Sequence, residues 1–354
     1  MRRRALIAAS VAAMIATSVL PAFAAADDTA SDVLGGAWLF YRTAFVSADG
    51  RVIDNGNGNV SHSEGQGYGM LLAVAADDRA TFDKLWDWTR DNLMVRDDAL
   101  AAWRWDPATD PHVADKNNAS DGDLLIAWSL LRAYRKWSDT RYFTTARAIA
   151  NDLGAKATTS FAGQTFLLPG AEGFASEDPE TGPVINLSYW IYPALEELQV
   201  FAPQFPAEGL LASGLKLVRD ARFGAADLPA DWTAVTANGY EPAANFPASF
   251  GYNAIRIPLY LAWYSGDTRR LLEPFEDLWN RNPDPSVIDL LSGKPTEPLR
   301  DAGYGSVASL VGCANELSFV ADPALEMVRY YPSTLSMLSL LAMVERYPQC
   351  LGAL

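Results

Sequence analysis

The chain has 354 residues, with 28 Lys and Arg against 43 Asp and Glu and a formal charge of −15. A chain this acidic suits neither nucleic acid nor an anionic membrane surface, and it is compatible with a neutral polymer. Two histidines and two cysteines are too few for a usual catalytic zinc cluster, and no motif calls for a metal or cofactor.

The chain opens with the basic stretch Met1-Arg2-Arg3-Arg4, an apolar run from Ala5 to Leu20 and the small-x-small site Ala22-Phe23-Ala24. This pattern predicts a secretory signal peptide over 1–24, followed by one domain over 25–354 that is secreted or periplasmic. Ser10, Thr17 and Ser18 interrupt the run, and Asp27 and Asp28 follow it, so a membrane anchor is not expected.

Beyond the leader there is no linker, low-complexity spacer or shift in composition. Helical periodicity predicts helices near 31–45, 64–77, 79–95, 121–138, 140–153, 187–201, 208–222, 253–265, 268–282, 303–320 and 332–347, with a twelfth in Pro285–Leu291. The best strand signal is Gln164–Leu168. This pattern by itself gives an all-α single domain. Cys313 and Cys350 are either one disulfide between the last two helices or two buried thiols.

Two stretches stand out. In His62-Ser63-Glu64-Gly65-Gln66-Gly67-Tyr68-Gly69-Met70, a carboxylate heads an apolar helix crowded with glycine. Each glycine costs roughly 1 kcal/mol of helix stability relative to alanine, for which close helix packing or the approach of a ligand is the reason. In Ala119-Ser120-Asp121-Gly122-Asp123-Leu124, Ser120 reads as an N-cap and Asp121 and Asp123 as a charged first turn. Leu124, Leu125, Trp128 and Leu131 then mark a buried face. The connections also carry aromatic rings: Trp103 and Trp105, Tyr189 and Trp190, Trp232, Tyr240, and Tyr330-Tyr331. Such rings either plug the ends of the fold or stack on the apolar face of a sugar.

The two stretches together resemble glycoside hydrolase family 8. Its signature appears here as Ala119-Ser120-Asp121-Gly122-Asp123 through Ile126-Ala127 to Trp137, and its acid motif as Ser63-Glu64-Gly65-x-Gly67-Tyr68-Gly69-Met70. The resemblance extends through Arg256 to the C-terminus and is nearest to bacterial endo-β-1,4-glucanases associated with cellulose synthesis. It implies an (α/α)6 barrel with a few short strands in the loops, a β-1,4-glucan substrate and a link to the cellulose-synthesis machinery.

By this resemblance Glu64 is the general acid and Asp121 holds the sugar at the cleavage point in a distorted ring. The Asp of this signature is commonly named a nucleophile, a role that inversion rules out. Tyr68, Trp105, Tyr189, Trp190, Asn253 and Arg256 are the expected substrate-binding residues. One departure concerns the base. Many members carry an Asp three residues before the Arg, and here Gly251-Tyr252-Asn253-Ala254-Ile255-Arg256 places an amide there. Asp227, Asp231 and Glu241 are the loop carboxylates available instead. Two alternatives stand beside the glucanase: a glucan-binding protein with weak catalysis, and a related hydrolase of xylan or chitosan.

Overall fold

A helix that is apolar on every face must be buried on every face, whereas a one-sided helix lies outside it. The computed structural model, which describes residues 22–176, 181–315 and 325–351, sorts the helices in this way. They are α1 (Ala22–Phe45), α2 (Ser63–Ala75), α3 (Arg79–Asn92), α4 (Ser120–Trp137), α5 (Thr140–Lys156), α6 (Tyr192–Phe201), α7 (Ala207–Asp220), α8 (Arg256–Trp263), α9 (Arg269–Arg281), α10 (Ala302–Ala314) and α11 (Tyr330–Arg346). Along α2, α4, α8 and α11 burial is nearly continuous, while α3, α5 and α9 bury a single stripe.

The buried helices close a ring. α2 packs on α4, α4 on α6, α6 on α8, α8 on α10, α10 on α11, and α11 returns to α2. Outside it, α1, α3, α5, α7 and α9 each cover one or two inner helices. This is the (α/α)6 barrel, with six inner and, among the described residues, five outer helices. Most predicted helices are present. The leader lies outside the described residues up to residue 21, as does the stretch 316–320 assigned to the tenth helix.

The twelfth helix is not one. Ser286–Asp289 is a strand paired with Lys294–Pro298 on one side and Ser249–Phe250 on the other. Val287 and Ile288 favour that extended state, and Gly293 at φ +68 turns the hairpin. Gln164–Leu167 is a strand as expected, paired with Thr158–Phe161. Two predicted helix starts are late. Leu187–Tyr189 is a 3-10 turn ahead of α6, and residues 253–255 form a turn ahead of α8.

Cys313 and Cys350 are joined. The bond closes a loop with a separation of 37 residues, for which chain entropy alone predicts about 3–4 kcal/mol. Cys350→Ser is therefore expected to lower the melting temperature to the same value as reduction of the wild type. An unchanged melting temperature in both would show that the bond restrains nothing that unfolding releases.

Candidate active site

Two helix N-termini meet at one end of the ring, and glycine is what lets them meet. A Cβ on Gly122 would stand 2.1 Å from Ser63 Oγ and 2.7 Å from the Glu64 nitrogen. A Cβ on Gly67 would stand 2.5 Å from Leu125 Cβ. These contacts press the start of α4 against α2 and set Asp121 beside Glu64. Gly65 and Gly69 likewise face Tyr330 Oη at 2.8 Å and Val52 Cγ2 at 2.8 Å. Of the two reasons open for the glycines of this motif, close packing is the one these contacts support. Ser120 is not the cap either. It is the first helical residue, the cap position belongs to Ala119, and its buried Oγ has no partner.

Arg256, at the start of α8 and 3 % exposed, ties the cluster together. One guanidinium nitrogen, Nη1, lies 3.3 Å from Asp121 Oδ2 and closer to Glu64 Oε1, with which it forms an ion pair. It also donates to Tyr68 Oη at 3.3 Å. The other terminal nitrogen donates to Ser188 Oγ and to Asn253 Oδ1, both at 3.0 Å. Tyr68 Oη donates to Glu64 Oε1 at 3.2 Å and shares a 2.6 Å hydrogen bond with Tyr260 Oη. Glu64, Tyr68, Asp121, Asn253 and Arg256, placed at one site by the sequence, are thus gathered in it. Ser188 and Tyr260 were not anticipated. Each is one polar residue in an apolar stretch, and nothing in the spacing marks either.

The carboxylates are not equivalent. Asp121 is 2 % exposed, and burial pushes its pKa up to about 7, against the pull of the Gly122 N–H. Asp123 is also pushed up to about 7 by burial. Its carboxylate accepts from the Ala101 N–H and from Asn118 Nδ2, each at 2.8 Å, so it fastens the 101–118 connection.

Both folded values stand above the ordinary carboxyl value of 3.8. These two carboxyls bind protons in the folded chain that they lack in the unfolded chain between about pH 4 and pH 7. They outweigh the opposing group His62, which burial holds down to about 4, so stability falls as pH rises through that window. Urea midpoints are expected to be higher at pH 5 than at pH 8, and Asp123→Asn is expected to flatten the slope. A midpoint that rises from pH 5 to pH 8 would contradict this.

The rings divide into core and mouth. Trp190 is 0 % exposed and its Nε1 donates to Leu210 O; it is a core residue, and its assignment to substrate binding is corrected. Trp232 is stacked on Phe174 at 5.8 Å and on Phe246 at 4.3 Å. Tyr189 is partly exposed and lies against the Arg256 guanidinium at 5.7 Å. Trp105 is partly exposed, contacts Trp88 and His112, and has the Arg51 guanidinium over its ring at 4.9 Å. Beside the cluster a cavity of about 470 Å³ opens between Asp54, Tyr252, Glu297, Asp301, Tyr304 and Tyr331.

Paired carboxylates at the mouth of a helical barrel, with a cavity beside them, suit hydrolysis of a glycosidic bond, and similarity to known proteins places the chain among the glycoside hydrolases. The chain belongs to glycosyl hydrolases family 8, whose family model matches residues 7–345. A probable endoglucanase of Novacetimonas hansenii is 37% identical over 343 residues, covering 95% of this chain and 98% of the relative. Among solved structures, the family 8 endoglucanase Cel10 of Klebsiella pneumoniae is similar with a TM-score of 0.80 at 37% identity, over 88% of this chain and 100% of that one. The endo-β-1,4-glucanase CMCax of Acetobacter xylinum gives 0.80 at 36% identity, over 89% and 99%.

Proposed function

We propose that this chain is an exported endo-β-1,4-glucanase that cuts internal bonds of a cellulose chain with inversion, in support of cellulose synthesis. The observation that carries the reading is the pair Glu64 and Asp121, bridged by one nearly buried guanidinium. Export rests on the leader, and the link to synthesis rests on the resemblance alone. Glu64 protonates the leaving oxygen. Asp121, held by Arg256 and the Gly122 N–H, grips the hydroxyls of the sugar at the cleavage point.

One observation favours a second reading. Glu64 and Asp121 share a single nitrogen, so they stand nearer each other than the roughly 6.5–9.5 Å of an inverting pair. That spacing suits retention with Asp121 as nucleophile. Against it, Asp121 is buried and turned towards Arg256 and its own helix rather than free to reach an anomeric carbon.

The test is hydrolysis of carboxymethylcellulose, xylan and chitosan, with viscosity, reducing ends and the product anomer by NMR followed together. A fast fall in viscosity on the cellulose derivative and a first-formed α anomer are expected. A β anomer would establish retention, and preference for xylan or chitosan would move the substrate. Asp121→Asn is expected to cut turnover severely with little change in melting temperature, since Asn keeps an oxygen to accept from the Gly122 N–H or Arg256 and Glu64 still pairs with the guanidinium. If it loses mainly stability and keeps its turnover number, Asp121 is a structural residue.

A further inference from the structure

An inverting reaction needs a carboxylate on the water side of the sugar, and the site described so far lacks one. Asp121 is too near Glu64, and Asn253 is an amide with no basic lone pair. Of the loop carboxylates that precede Asn253, Asp227 is exposed beside Arg222 at 3.4 Å. Glu241 is exposed on the strand Gly239–Pro242, which pairs with Thr233–Thr236. Asp231 alone reaches the turn that carries Asn253. Its Oδ1 accepts the N–H groups of Gly251, Asn253 and Ala254 at 3.1, 3.1 and 2.7 Å. Its Oδ2 accepts only Ser249 Oγ, at 3.1 Å. Among the described residues no cation pairs with it, and its charge is felt at Tyr331.

We propose that Asp231 is the general base of the reaction, taking through Oδ2 the proton of a water that the Asn253 side chain orients. The inference rests on the inverting glucanase reading above. Oδ1 is consumed in holding the turn, which places Asn253 against Arg256. Oδ2 keeps a lone pair beside that turn. Burial pushes the carboxyl upward from its ordinary value, against the four hydrogen bonds that pull it down, and this favours a basic role over that of an exposed aspartate. In the step itself the water oxygen bonds to the anomeric carbon on the face opposite the leaving group. The glycosidic C–O bond breaks with its electron pair going to the leaving oxygen, which takes the proton of Glu64. The proton of the water goes to Asp231. Glu64 ends as a carboxylate and Asp231 as an acid, and exchange with solvent resets both.

The experiment uses the whole chain and cellopentaose. Asp231→Asn is expected to lower kcat by about 10²–10⁴-fold, with cellopentaose affinity and melting temperature near wild type. Asp231→Ala in sodium azide is expected to yield an α-glycosyl azide, because azide attacks without giving up a proton. Asp231→Asn/Asn253→Asp is expected to regain turnover by moving the carboxylate to the adjacent position. Wild-type turnover in Asp231→Asn, or loss in Asp231→Ala with no azide product, overturns the assignment. If the Asp231 variants fail to fold, Ser249→Ala is read instead. Loss of the Oδ2 donor is expected to shift the acidic limb of the pH–kcat profile upward, and an unmoved limb overturns the assignment. A β anomer from the wild type overturns inversion and the base together, whereas an α anomer with a normal Asp231→Asn overturns the base alone.

Discussion

Glu64→Gln is expected to abolish hydrolysis while leaving the fold and glucan binding in place. The substitution keeps the shape of the side chain and an oxygen to accept the 3.2 Å hydrogen bond from Tyr68, but removes the transferable proton. A positioned general acid contributes about 10²–10⁴-fold. No other carboxylate can take the role from the same place, since Asp121 is committed to Arg256 and the Gly122 N–H. Loss of one charge from the Arg256 cluster leaves Asp121 as its remaining acidic partner, so the pocket stays paired. The checks are turnover on cellopentaose, calorimetric affinity for the same ligand and a thermal melt. A turnover number close to wild type would remove Glu64 from the acid role.

Gly122→Ala is the second substitution with a large expected effect, and it changes no chemical group of the site. Its single methyl would meet the Glu64 backbone nitrogen at 2.7 Å and Ser63 Cβ at 2.7 Å, besides Ser63 Oγ at 2.1 Å. The first two belong to the start of a helix and cannot swing aside. The helices must separate, at a cost of about 1–3 kcal/mol or more for overpacking. A displacement of about 1 Å between catalytic groups costs on the order of 10²-fold in rate. The variant is therefore expected to lose both melting temperature and kcat, and Ser63→Ala is not expected to rescue it because the backbone contact remains. Full activity with an unchanged melt would show that the two helix starts need not touch.

The helical plan was legible because α2, α4, α8 and α11 are buried almost throughout while α3, α5 and α9 bury one stripe, a contrast that periodicity reports directly. Glu64, Asp121 and Arg256 were legible because family motifs run through them. The failures have specific causes. Trp190 lies in the same stretch as Tyr189, and only the packing of α7 against it separates a core ring from a ring at the mouth. Asp231 was one of three loop carboxylates that sequence could not rank, because its partners are backbone N–H groups about 20 residues away. The strand at 286–289 is too short for periodicity to distinguish from a turn of helix.

The last helix of the ring has a consequence for when the enzyme first becomes active. α11 packs on both α10 and α2, and its first residues supply Tyr330, against which Gly65 rests, and Tyr331, which donates to the Tyr252 carbonyl beside the catalytic turn. Chains are made from the N-terminus, and domains fold as units. A nascent chain that holds Glu64, Asp121 and Arg256 but has not yet released its final helix has every reactive group and an open ring. The site is thereby expected to assemble only when α11 closes the ring.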